Sequence, residues 1–136
     1  MNASDALAFV AENHHAVLAT RRSDGAPQLS PVVAAVDADD KVVISTRETA
    51  FKVRHLRRDP HLWLCVLPDS FFGRWIWLEG DVEILSLPDA MEPLKDYYRS
   101  VSGEHPNWDE YEAAMRAEQR VLLRVSIARA GPDQQG

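Results

Sequence analysis

The chain reads as a small, mainly β protein: a six-stranded antiparallel barrel with helices at its periphery. Three observations carry that expectation. Short runs of β-branched and apolar residues recur along the chain. Turns too short for parallel crossovers join most of them. Helical periodicity is confined to four brief stretches, and closing the sheet on itself is the economical way to remove exposed edges.

At 136 residues the chain fits one domain, with a core over residues 7–127 and a flexible tail over 128–136. A net charge of −6 argues against a general nucleic-acid binder, which presents a broad basic surface. No run approaches the ~20 apolar residues of a membrane span. The first ten residues carry Asp5 and no basic side chain, unlike a signal peptide, so a cytoplasmic location is expected. The single cysteine, Cys65, lies in the apolar run LWLCVL and reads as a structural thiol.

Residues 2–13 have helical spacing, with Asn2 or Ser4 as N-cap. Two apolar runs then flank Ser23-Asp24-Gly25-Ala26-Pro27, a hairpin signal in which Asp-Gly supplies the positive-φ position. Residues 37–40 turn the chain into a strand over 41–46. A helix follows from about Thr49, capped by Ser45, Thr46 or Thr49, and Asp59-Pro60 closes it. Leu62–Leu67 is continuously apolar, as for a strand covered on both faces. Gly73–Ser86 reads as one long strand. Ile76, Leu78, Val82 and Ile84 line one face, Gly80 marks a bulge or close approach, and Trp75 and Trp77 lie opposite among acids. Residues 88–101 are helical, the regular part starting at Pro93. Asn107 caps a second helix running to about Glu118. The last strand spans 121–127, and the tail beyond it should fray.

Arg47, Lys52, Arg54, Arg57 and Arg58 place five cations in twelve positions of an acidic protein. A local reversal of sign suggests an anion site. Lys52 falls in the first helical turn, where the macrodipole disfavours a cation unless an anion binds there too. An ordinary solvated face also fits: Glu48 could pair with Lys52, and Arg57 and Arg58 suit the helix C-terminus. The five histidines have no partners at metal-ligand spacing. There is no G-x-S-x-G elbow and no glycine-rich nucleotide loop. What remains is a basic strand-to-helix segment, a polar strand with Gln28 and Ser30, and a tryptophan face. These suit a flat ring with a phosphorylated tail, where the chemistry belongs to the cofactor.

The segments VLATRRSDGAPQLSPV, TAFKVRHLRRDP, WLEGDVEI and YYRSVSGEHPNWDEYEAAMRAEQRVLLRVSI resemble the deazaflavin (F-420)-dependent branch of the pyridoxamine 5'-phosphate oxidase-like, FMN-binding split-barrel family. The resemblance covers residues 7–127. It implies a homodimer with cofactor sites at the subunit interface and hydride transfer between reduced F-420 and a small conjugated organic substrate. It matches Lys52 to the family's lysine on the cofactor phosphate, with Arg54 and His55 beside it. Ser45, Thr46 and Arg47 fall on the strand end feeding that helix. Gln28, Ser30, Pro31 and Val32 fall on the strand passing the ring and ribityl chain, and Trp75 and Trp77 near the ring and substrate. Pro31 stands where relatives often carry a polar residue, and the tail after Ile127 differs. An FMN-dependent oxidoreductase and a non-catalytic flavin or tetrapyrrole carrier are the alternatives. Trp75 and Trp77 also suit interface packing. Arg57 and Arg58 suit structural ion pairs, and His105 and Trp108 suit organisation of the loop before the last helix.

Overall fold

The computed structural model describes residues 1–133. Helix α1 (Ala3–Glu12) leads into the hairpin β1 (His15–Arg21) and β2 (Pro27–Val36), followed by β3 (Val42–Arg47) and helix α2 (Phe51–Arg58). Strands β4 (His61–Leu67) and β5 (Ile76–Leu85), helices α3 (Met91–Ser102) and α4 (Trp108–Ala117), and β6 (Arg120–Gly131) complete the chain. The six strands close in the order β1-β2-β3-β6-β5-β4, every neighbouring pair antiparallel. The expected six-stranded barrel with peripheral helices is the observed fold.

Alternation along the strands builds two apolar layers. Leu18, Ile44, Leu62, Leu64, Ile76, Leu78, Leu123 and Val125 fill the barrel, with Phe9 and Val10 of α1 and Val53 and Leu56 of α2 joining the same cluster. Outside the barrel, Ala35, Val43 and Leu122 meet Met91 and Leu94 of α3 and Tyr111 and Met115 of α4. The Tyr111 hydroxyl donates to the Leu94 carbonyl at 2.8 Å, fastening α4 to α3.

Several boundaries differ from the sequence reading. In β4 buried and half-buried residues alternate, so one face meets the core and the other looks outward, instead of both being covered. Strand β5 begins at Ile76, leaving Trp75 just outside it. Helix α3 starts at Met91 rather than Pro93. Proline is tolerated in the first turn because the N–H it lacks has no intrahelical acceptor there. Strand β6 runs on to Gly131 and pairs with β5, so residues 128–131 do not fray; residues 134–136 of the expected flexible tail lie outside the described residues. Asn2 caps α1 and Asn107 caps α4 through their side chains.

Gly80 answers both parts of its expectation. The β5–β6 register shifts between Glu79 and Gly80. A Cβ at Gly80 would collide with the Ser126 carbonyl and stand 3.1 Å from Val125 Cγ1. Because the obstacle is backbone, Gly80→Ala should destabilise the fold by roughly 1–3 kcal/mol, read as a lower denaturation midpoint with an unchanged m-value.

On the outer face of β4 and β5, His61 sits between two carboxylates, with Nε2 2.7 Å from Glu79 and Nδ1 3.1 Å from Asp81. Arg129 Nε donates to the buried Glu79 at 2.7 Å. The hydrogen bond to Glu79, reinforced by Asp81, raises the His61 pKa. Hydrogen bonds from His61 and then Arg129 hold Glu79 below the usual carboxylate range. The His61 contribution to stability is complete below its unfolded value of 6.5 and fades as pH rises through the raised folded one. The Glu79 contribution is complete above its unfolded value of 4.5 and fades as pH falls through the lowered one. Denaturant midpoints should therefore be highest between those values, and His61→Gln should abolish the decline on the alkaline side of that window.

Candidate functional site

The site grows from a seam in the barrel. Strand β2 pairs with β1 over Pro27–Val33 but with β3 only at Ala34↔Ile44, Ala35↔Val43 and Val36↔Val42. Past Ile44 the two strands part, while β3 continues along β6 through Arg47↔Arg120. Pro31 lies on the stretch of β2 that pairs with β1 but not with β3, and on that open side a missing N–H costs no ladder bond. Where the next rung would join Val33 and Ser45, the Tyr97 hydroxyl of α3 donates to the Val33 carbonyl at 2.9 Å. Burial pushes the Tyr97 pKa up, so the phenol stays protonated and able to donate.

Helix α2 begins beside this seam. Its N-cap is Ala50, with no side-chain cap. The hydroxyl caps expected of Ser45, Thr46 and Thr49 are not formed: Ser45 and Thr46 lie within β3, and Thr49 belongs to the turn in which the Ala50 N–H bonds the Arg47 carbonyl at 3.0 Å. The first-turn N–H groups are left without a side-chain acceptor. Lys52 is the second residue of the helix. Its expected partner Glu48 is taken by Arg57, through Nε at 2.9 Å and Nη2 at 2.7 Å. Lys52 has no carboxylate partner among the described residues, and burial, then the Arg120 charge, lowers its pKa. Arg58 donates to the Arg21 carbonyl at 2.6 Å. Arg57 and Arg58 are thus engaged in the structure of the segment.

The remaining predicted residues divide by strand face. Gln28, Ser30 and Val32 pair with Thr20, Leu18 and Ala16 and so share the barrel-interior face of β2. Pro31 pairs with Val17 on the opposite, outward face. Thr46 is buried in β3, and Arg47 at its end bonds Glu118 at 3.0 Å. His55 is buried against the Thr20 hydroxyl at 3.0 Å; burial and then Arg58, Arg22 and Arg54 depress its pKa, which keeps the ring neutral. Arg54 has only the Phe51 ring beneath it, 5.6 Å away. Trp75 and Trp77 are not brought to this end: β5 enters the barrel beside the Leu67 end of β4, while α2 adjoins the His61 end. Trp77 lies instead over Gly131, whose added Cβ would meet the indole Nε1 at 2.7 Å.

Three participants escaped the sequence reading. Arg22 joins Arg54 and Arg58 around a 410 Å³ groove between the β1–β2 hairpin and α2, which Gln28 and His55 also line. Arg120 stands across the ladder from Arg47 and shares Glu118 with it. Tyr97 closes the seam. Arg22 and Arg120 are far from the basic cluster in sequence; only strand register brings them to it. A larger cavity of 590 Å³ lies under α3, but its charges satisfy one another, Arg124 with Asp37 and Asp39 and Arg99 with Asp96. Among the described residues no group of three His, Cys, Asp or Glu side chains could hold a metal ion. No helix is long and apolar enough to cross a membrane.

The GEHPNWD block turns out to be a packing unit. Tyr98, His105, Trp108 and Tyr111 meet ring to ring with centroids 5.0–5.9 Å apart. Glu104 accepts from Trp108 Nε1 at 3.1 Å and Arg99 Nε at 2.9 Å, and His105 Nδ1 accepts from the Asn107 N–H.

Comparison with known proteins gives this barrel a family. Residues 4–131 match the pyridoxamine 5'-phosphate oxidase family, and the chain belongs to it. Among solved structures, a conserved hypothetical protein from Mycobacterium tuberculosis superposes with a TM-score of 0.77 at 22% identity, covering 100% of this chain and 92% of the other. An F-420 reductase gives 0.68 at 21% identity, covering 91% and 94%. A heme-binding protein from Mycobacterium smegmatis gives 0.68 at 18% identity, covering 94% of this chain and 52% of that one. At these identities the structural likenesses establish a shared fold.

Tyr97→Phe should leave the Val33 carbonyl at the seam without its donor. A loss of about 0.5–1.5 kcal/mol in equilibrium unfolding is expected, with faster amide exchange at Ser45 than at Val43.

Proposed function

We propose that this chain is a coenzyme F-420-dependent oxidoreductase, transferring a hydride between the reduced deazaflavin and a small conjugated organic substrate. The observation that carries the reading is the cationic groove of Arg22, Arg54 and Arg58 next to Lys52 and the uncapped start of α2. FMN ends at its phosphate, whereas F-420 continues beyond it into a carboxylate-rich tail, for which a second group of cations is the suitable partner. The residues fit such a group. Lys52 has no carboxylate partner among the described residues, and its disfavoured first-turn position becomes favourable once an anion binds.

Lys52 and the α2 N–H groups would hold the phosphate, Arg54 and the groove the tail, and Ser30, Val32 and Gln28 the ring side. The bound cofactor supplies the hydride; the chain orients it and excludes water. No acid–base side chain is assigned. The reading includes a homodimer. Within one protomer Trp75 and Trp77 stand at the far end of the barrel, so a contribution from them requires a second copy. The outward row Pro31, Val17, Cys65 and Trp77, with Leu29 65% exposed beside it, is an apolar strip suited to one.

Equilibrium titration of the purified protein with F-420 and FMN tests the assignment. F-420 should bind more tightly; FMN tighter by about a hundredfold, or about 2.7 kcal/mol, would hand the chain to the FMN-dependent alternative. Lys52→Ala should weaken F-420 binding by about 1.5–3 kcal/mol while shifting stability by under about 0.5 kcal/mol. Tight binding without oxidation of the reduced cofactor by quinones, enones or tetrapyrroles would identify a carrier instead.

A further inference from the structure

We infer that Arg120 is a further phosphate-binding residue, completing with Lys52 and Arg47 a three-cation cradle in which Glu118 is the positioning carboxylate. The inference deepens the cofactor reading above and rests on it. Arg120 opens β6 and stands across the ladder from Arg47, the last residue of β3. Paired residues share a face, so the two guanidinium groups approach each other. Like charges opposite one another destabilise a sheet unless something neutralises them. Glu118 does so in part, accepting from Arg47 Nη2 at 3.0 Å and Arg120 Nη2 at 2.9 Å. These two bonds lower its pKa, Arg120 contributing most, so it remains a carboxylate.

One carboxylate for three cations leaves the cluster two charges short. The Arg120 charge reaches Lys52 and depresses its pKa, so these groups share one electrostatic environment. Arg120 Nε is moreover buried without a hydrogen-bond partner, and it is the only such side-chain atom among the described residues. A buried donor left unmade is costly and marks a partner outside the chain. A phosphate monoester dianion supplies the two missing charges and acceptor oxygens for the free donor. The seam between β2 and β3 begins past Ile44, and Arg47 lies two residues further along β3 than Ser45. Glu118 would then align both guanidinium groups without touching the cofactor.

The test uses paired ligands that differ only in the phosphate: FMN against riboflavin, and the 5'-phosphate of the deazaflavin core against the phosphate-free core. Each affinity is measured by fluorescence titration in wild type, Arg120→Gln and Arg120→Met, the last retaining the aliphatic stem. Thermal unfolding confirms that each variant is folded. The expected result is that the preference for the phosphorylated form falls by on the order of ten- to a hundredfold in both variants, with phosphate-free affinities unchanged. Equal loss for both ligand forms would make Arg120 a scaffold residue and overturn the inference. An undiminished preference in a folded variant would overturn it as well. A wild-type protein that does not prefer phosphorylated ligands would instead remove the phosphate site as a whole, and the cofactor reading with it.

Discussion

The parting of β2 from β3 beyond Ile44 is the constraint on which the rest of the molecule depends. A closed antiparallel barrel has no free edges, yet this one keeps only three paired positions along one seam. Unpaired backbone groups must find other partners. The fold meets the demand with the Tyr97 hydroxyl, which stands in for one rung, and with a proline on the open edge of β2. Helix α3 is held against the barrel by that hydroxyl, and α2 closes the interior below the gap through Val53 and Leu56. The opening is thus supported from both sides, without loss of barrel closure.

Electrostatics around the opening follows a division of labour among arginines of similar sequence character. Arg57 is locked in a bidentate pair with Glu48, and Arg58 serves a backbone carbonyl. Because Glu48 is so engaged, Lys52 is left unneutralised at the start of an uncapped helix. Arg22 and Arg54 add further positive charge along the groove. Lys52, Arg54 and Arg58, none of them paired with a carboxylate among the described residues, thus lie together on α2 and make that end of an acidic protein locally positive. The His61–Glu79–Arg129 cluster, by contrast, is internally balanced and binds the outer face of β4, β5 and β6 together.

Much of this was legible from the chain. Alternation in residues 73–86 and 121–127 gave the inward faces of β5 and β6, and Asp24-Gly25 gave the first hairpin. Asn107 gave the start of α4. The errors have physical causes. The continuous apolar run of β4 cannot reveal whether its outward side chains are covered, since that depends on neighbours rather than on period. The end of β6 was missed because Ala128, Arg129 and Ala130 carry no strand signal of their own; the β5 ladder holds them. Pro93 marks a first helical turn but not which of its positions.

The basic segment Arg47–Arg58 by itself determined that one end of the protein is cationic and that Lys52 sits in a first helical turn, because both are matters of local spacing. Which cations remain free was decided only by tertiary structure. Glu48 could have neutralised Lys52 or Arg57, and the packing of α2 chose Arg57. Arg22, Tyr97 and Arg120 entered the site through strand register and helix docking, contacts between residues too far apart in the chain for any local pattern to encode. Tertiary structure likewise kept Trp75 and Trp77 away from Lys52 within one protomer, since β5 enters the barrel at the opposite end.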